Sequence, residues 1–298
     1  MSSPVTAPRP SAPAAATLHN GELFSSSSMM RQFNQESLLL LGGGRAVLLQ
    51  LAHPLVAAGV ADHSEFQADP LARLFGTLDL MHTLVFGSGE QVRSRLRDFH
   101  AIHARVSGAL DEGAGRFPSK TSYRAGDPRL KLWVYATLVD SSLLTYQQFV
   151  SRLTPDQRAS YYADTLVLAR QLGISDANLP STLTDFKAYM GAMLAGDTLH
   201  VTDDARRLAW SVLNPQVGAV QAASARLLRF VTAGLLPKRF RTAFGLSWGP
   251  RRQRLLDGFG GATRLLRPVA PGWLWQSPHL DGPSLVRLLL WPSRQSLI

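Results

Sequence analysis

The sequence predicts an all-α protein. Apolar residues recur at three- and four-residue spacing through most of the chain, and no alternating strand pattern stands out. Gly, Pro and Asp-Pro signals break that pattern into helix-length pieces. The spacing predicts helices over 35–60, 69–86, 89–110, 127–151, 155–172, 181–196, 202–213, 216–234, 237–246, 250–256 and 282–290.

The first of these contains Gly42-Gly43-Gly44. Neither a Walker ending nor a third Rossmann glycine follows, and no strand precedes, so the three glycines read as a kink or as a point of close approach by a helix or flat ligand. The second and third helices carry Arg73 and Thr77, then His100 and His103. Between the third and fourth lies a stretch with four glycines and a proline, from Gly108 to Asp127, which reads as a loop. The next two helices have physical starts: Asp127-Pro128 and Thr154-Pro155 put a capping side chain before a proline whose missing N–H costs nothing there. Gly173 is the stop of the second. No repeat at solenoid period is visible.

A chain of 298 residues, 45% hydrophobic and 17% charged, is globular and can bury a large core. Cysteine is absent, which excludes disulfides, a thiolate nucleophile, cysteine-type zinc or iron-sulfur sites and a thiolate haem ligand. Any metal must therefore use His, carboxylate, Tyr or Met. Residues 1–25 begin with a Pro-, Ala- and Ser-rich run lacking a secretory pattern and read as a disordered tail. No apolar run of spanning length appears, and the cytoplasm is the expected compartment.

Net charge is +10, and residues 226–298 hold twelve Lys or Arg against Asp257 and Asp281, with four of the six tryptophans. The stretch RLLRFVTAGLLPKRF reads either as ordinary helices with solvated arginines packing on the main domain or as a peripheral membrane contact through the basic C-terminus. No helix-turn-helix, RNP-type or zinc-finger signature is present, so no specific nucleic acid is expected.

Five of the eight histidines fall between His53 and His103. Ionisable groups on apolar helices are costly unless paired or bound to something. There is no HExxH and no Gly-x-Ser-x-Gly. Asp79 with His82 and Asp197 with His200 have the one-turn spacing that lets a carboxylate and an imidazole share a metal, which keeps open a non-haem metalloenzyme that also uses His100 and His103. His103 lies at the edge of the stripe Phe99, Ile102 and Val106, with His100 a turn earlier; a core histidine with a backbone partner is the plain alternative. Arg73 and Thr77, four apart, offer a cation and a hydroxyl on one helix face. An imidazole without any thiolate, in an all-helical apolar pocket, is the arrangement a b-type haem needs.

The ordered motifs RAVLLQLAHPLVAAGV, DPLARLFGTL, HAIHARVSG, DPRLKLWVYATLVDS and YYADTLVLARQLG resemble the oxygenase MpaB and rubber oxygenase (latex clearing protein) catalytic domain family over roughly residues 30–235. The resemblance implies a globin-like helical domain at 26–235 that binds haem b, with 236–298 as a basic, Trp-containing helical extension packing on it. It implies His103 as the iron ligand, with Arg73 and Thr77 beside the haem and His53 as a pocket or distal residue. His100 and Tyr135 complete the cofactor-binding set, Tyr135 standing where the family often has a histidine. Gly76 replaces the lysine of rubber oxygenases and no glutamate occupies residues 50–62, so polyisoprene is not the implied substrate. The expected activity is a haem b-dependent oxygenase using dioxygen or peroxide on an apolar, lipid-like or terpenoid-like small molecule. A non-catalytic haem- or lipid-binding protein is the remaining alternative.

Overall fold

A computed structural model describes residues 22–63, 70–215, 219–272 and 275. The helix expected at 282–290 and most of the tail expected at 1–25 lie outside the described residues. Those described form an all-α fold with one two-stranded sheet. The first half contains α1 (Met29–Asn34), a 3₁₀ segment (Ser37–Gly42), α2 (Gly43–Leu51), α3 (Pro54–His63), α4 (Pro70–Phe86), α5 (Gly89–Arg105), β1 (Ser107–Ala109) and β2 (Ser122–Arg124). The second half contains α6 (Pro128–Phe149), α7 (Pro155–Gln171), α8 (Leu183–Ala195), α9 (Asp203–Leu213), α10 (Ala219–Leu235), α11 (Lys238–Ala243) and α12 (Pro250–Leu266).

The spine is α6. Asp127 caps it by accepting from the Arg129 N–H, Pro128 follows the cap, and the helix packs against α2, the 3₁₀ segment, α7 and α12. Fully buried Trp133 donates its indole N–H to the Leu49 carbonyl at 3.2 Å, locking α6 to α2. Buried Arg45 spans three elements: Nε donates to the Leu235 carbonyl at 3.0 Å, one NH group to Ser141 Oγ at 2.7 Å and the other to Asp140 Oδ2 at 2.6 Å. A buried guanidinium is tolerable because its donors are matched in this way.

The single helix expected over 35–60 is instead a 3₁₀ segment and two helices bent by 102°. Pro54 has no N–H to continue the ladder and disfavours helical backbone at His53, whose own N–H turns back to the Gln50 carbonyl at 3.1 Å. The His200 N–H bonds the Ala52 carbonyl at 2.8 Å, fastening the chain before α9 to this corner. Among the described residues no single helix is long and apolar enough to cross a membrane.

Three other boundaries differ. The helix expected to reach 110 stops at Arg105, where Val106 turns extended and the chain enters β1, antiparallel to β2 with Gly108 opposite Tyr123. Tyr123 donates to Asp62 Oδ2 at 2.6 Å and, with Leu55, Leu110, Ala114 and Leu130, forms a small second core between the hairpin and α3. α1 was not expected; Ser28 caps it by accepting from the Arg31 N–H. α12 runs on to Leu266, past the expected end at 256, through three glycines. A Cβ at Gly260 would stand 2.5 Å from the Gln148 carbonyl, so that glycine permits α12 to lie close on α6.

Within 226–240 the later apolar positions face inward, while Leu227 is exposed. Val231, Leu235, Leu236 and Phe240 are buried, while Arg239 donates to the carbonyls of Leu194, Gly196 and Leu199. The alternation there serves packing on the main core.

Candidate functional site

The hairpin of α4 and α5 carries most of the expected site. Its turn is fixed by a capping box in which Ser88 accepts from the Gln91 N–H and Gln91 accepts from the Ser88 N–H. Asp79 pairs with Arg95 across the hairpin. That pair fastens the middle of α4 to the first half of α5, while His100 and His103 lie on the second half of α5. Arg73 lies on α4, with its side chain outside the described residues; Thr77 is half-buried.

His103, half-buried near the end of α5, donates from Nδ1 to the Phe99 carbonyl at 2.8 Å, and its ring lies 3.9 Å from the Phe99 ring. That bond fixes the tautomer: the proton sits on Nδ1 and the lone pair on Nε2. Metal-ligating histidines have this arrangement, in which the outer nitrogen donates to a carbonyl or carboxylate. His100 is set the other way, with Nε2 donating to the Gln171 carbonyl at 3.1 Å and its ring against Gly173. Burial, reinforced by the Lys131 charge, lowers its pKa despite that bond. Phe99 touches both imidazoles and carries the Lys131 ammonium 5.8 Å over its face. Nearby, a Cβ at Gly76 would meet nothing within 4 Å, and Ile102 is 60% exposed.

His53 sits at the bend between α2 and α3, buried, 5.3 Å from the Phe117 ring, with Nδ1 lacking a hydrogen-bond partner among the described residues. Burial pushes its pKa down to about 4, so the ring is neutral near pH 7. Tyr135 is buried between α6 and α7 and spends its hydroxyl proton on the Thr165 carbonyl at 2.7 Å; burial raises its pKa well above the usual range. The structure thus places His100 and His103 on the last turns of α5, Thr77 and position 73 on α4, His53 at the α2–α3 bend and Tyr135 in the core.

The Asp-x-x-His pairs are engaged elsewhere. Asp79 is taken by Arg95, and Asp197 lies 3.5 Å from Arg116. Among the described residues no three His, Asp or Glu converge on a point. Two open surface hollows, of about 500 and 480 Å³, are lined by residues of 247–254 and by Arg206, Arg207, Trp210 and Ser211; neither includes an expected site residue. Phe99 is the functional contributor the sequence reading passed over as an apolar stripe position. Its part is played by a backbone carbonyl, which residue type does not reveal.

An all-α fold with a tautomer-fixed imidazole on a helix hairpin, and no thiolate in the chain, defines a histidine-based helical domain. Over residues 30–266 the chain matches the ER-bound oxygenase mpaB/B'/Rubber oxygenase, catalytic domain, and it belongs to that family. It therefore carries an oxygenase catalytic domain, one that takes in α11 and α12. Similar proteins include an uncharacterised protein of Mycobacterium tuberculosis and one of Mycobacterium bovis. Each is 25% identical over 236 residues, covering 77% of this chain and 89% of the relative. No solved structure matches.

Proposed function

We propose that the protein is a haem b-dependent oxygenase acting with dioxygen, or peroxide, on an apolar, lipid-like or terpenoid-like small molecule. The observation that carries the reading is the His103 ring, whose Nδ1 is committed to the Phe99 carbonyl as in a metal-ligating histidine. His103 would hold the iron, and the bond to Phe99 would keep the ring oriented and its Nε2 basic. Haem bound there supplies oxygen activation, which no side chain of the twenty provides. From α4, Thr77 would offer a hydroxyl and Arg73 a fixed cation for a carboxylate. His53 would contribute a neutral imidazole in a water-poor corner, its buried Nδ1 available for one hydrogen bond. Phe99, Ile102 and the side-chain-free position at Gly76 favour an apolar substrate. His100 would steady α5 against the end of α7, and Tyr135 would brace the core behind the site.

The test is the absorbance spectrum of protein expressed with haem supply, with a pyridine haemochrome assay, beside His103→Ala and His100→Ala. A Soret band that disappears in His103→Ala and persists in His100→Ala is expected. A wild type without a Soret band refutes the haem reading.

A further inference from the structure

We propose that the exposed face of α12 rests on an anionic phospholipid bilayer. Nothing in this inference depends on His103 or on haem.

α12 is a 17-residue helix whose inner face buries Leu256, Gly260 and Thr263 against the main core. On the opposite side Arg251, Arg254, Leu255, Gly258, Ala262, Leu265 and Leu266 are all exposed and fall within about a third of the helix circumference. Val269, in the turn that follows, continues the line. Eight large apolar side chains are exposed among the described residues, and four of them, Leu255, Leu265, Leu266 and Val269, lie here, each more than half exposed. A single exposed leucine needs no explanation, whereas four aligned within fifteen residues form a patch. Gly258 and Ala262 between them add no bulk, so the stripe is flat.

The charge on this face has one sign. Arg251 and Arg254 stand at its N-terminal end without an ion-pair partner among the described residues, and Arg252 flanks them, donating to the Ser247 carbonyl at 2.5 Å. The helix has a single acid, Asp257, on the flank, where it accepts from Gln253 at 3.0 Å. A flat apolar stripe with cations at one end matches the boundary between anionic headgroups and acyl chains. A protein partner would have to offer an equally flat apolar strip bordered by acids.

The chain has no cysteine, so Leu265→Cys labelled with an environment-sensitive fluorophore reports this face alone. Vesicles of phosphatidylcholine with phosphatidylglycerol are expected to shift its emission to the blue, and pure phosphatidylcholine to do so far less. In sedimentation, Leu265→Ser with Val269→Ser should weaken partition about tenfold, and Arg251→Gln or Arg254→Gln about fivefold each at low salt. The proposal is overturned if the label ignores anionic vesicles. It is equally overturned if the label is already shielded in the free chain, which would mean that residues 276–298 or a second copy cover the face. A change in oligomeric mass in Leu265→Ser, with vesicle binding intact, has the same consequence.

Discussion

Two long helices show how unevenly this molecule distributes its packing. Twelve of the 22 residues of α6 are buried, along its whole length; on α5 only Gly89, Val92 and Leu96 of seventeen are buried, all in its first half. The second half of α5, which carries His100 and His103, meets the rest of the fold through Phe99 packed on the core, Nε2 of His100 bonded to Gln171 and the Lys131 ammonium over Phe99. Fold stability is concentrated around α6, and the site sits on an element that owes little to the core. Binding elements are commonly drawn from such weakly packed segments, since a fully packed face has no room for a ligand.

Substitutions can break that division or sharpen it. The largest effect belongs to the spine: Trp133→Ala should lower unfolding free energy by about 3–5 kcal/mol, read by denaturant titration. A loss near zero would place the spine elsewhere. His53, at the α2–α3 bend, comes next. Its folded pKa, about 4, lies below the ordinary 6.5, so as pH falls the unfolded chain takes up a proton first. Stability is therefore fully present above about pH 6.5 and declines toward pH 4, by up to about 3 kcal/mol. In His53→Gln that part of the pH slope should vanish, and a slope unchanged from wild type would show that His53 is not the group responsible.

A subtler effect is expected where α2 meets α10. A Cβ at Gly44 would stand 2.0 Å from Thr232 Oγ1, so Gly44→Ala should cost about 1–3 kcal/mol by overpacking. Thr232 Oγ1 is itself buried without a hydrogen-bond partner among the described residues, so Thr232→Ala in the same chain should recover much of the loss; simple additivity in the double-mutant cycle would contradict this contact. The smallest effect should come from the turn before α5. Ser88→Ala removes the capping box and should cost about 1 kcal/mol, with faster amide exchange in α5 and none in α6. Equal exchange in both helices would erase the contrast between them.

The sequence made the starts of α6 and α7 legible because Asp127-Pro128 and Thr154-Pro155 are local signals, and the stop at Gly173 likewise. The bend at His53 was written in Pro54 but was read through, because the apolar pattern of α2 and α3 continues across the break. The end of α12 was misplaced because glycines usually stop helices, whereas the reason for Gly260, a carbonyl of α6, lies more than a hundred residues away in the chain. Around the candidate site, His103 was singled out by the family resemblance of its motif, spacing alone leaving a core histidine open. The orientation of its ring was not legible, because the Phe99 carbonyl is backbone and leaves no mark in residue identity. Tyr135 illustrates the converse: nothing local in the sequence says that its hydroxyl meets the Thr165 carbonyl on α7.

Arg45 sets an order of events during synthesis. Its acceptors at Asp140 and Leu235 lie 95 and 190 residues downstream. At ribosomal speeds the second arrives roughly 10–40 s after the arginine itself. Until then the guanidinium has one side of its hydrogen-bonding fork unmet and is better left in water than sealed into a half-built interior. A nascent chain arrested before α10 should therefore keep α2 open to proteases, and final closure of the core should wait for Leu235 to leave the ribosome.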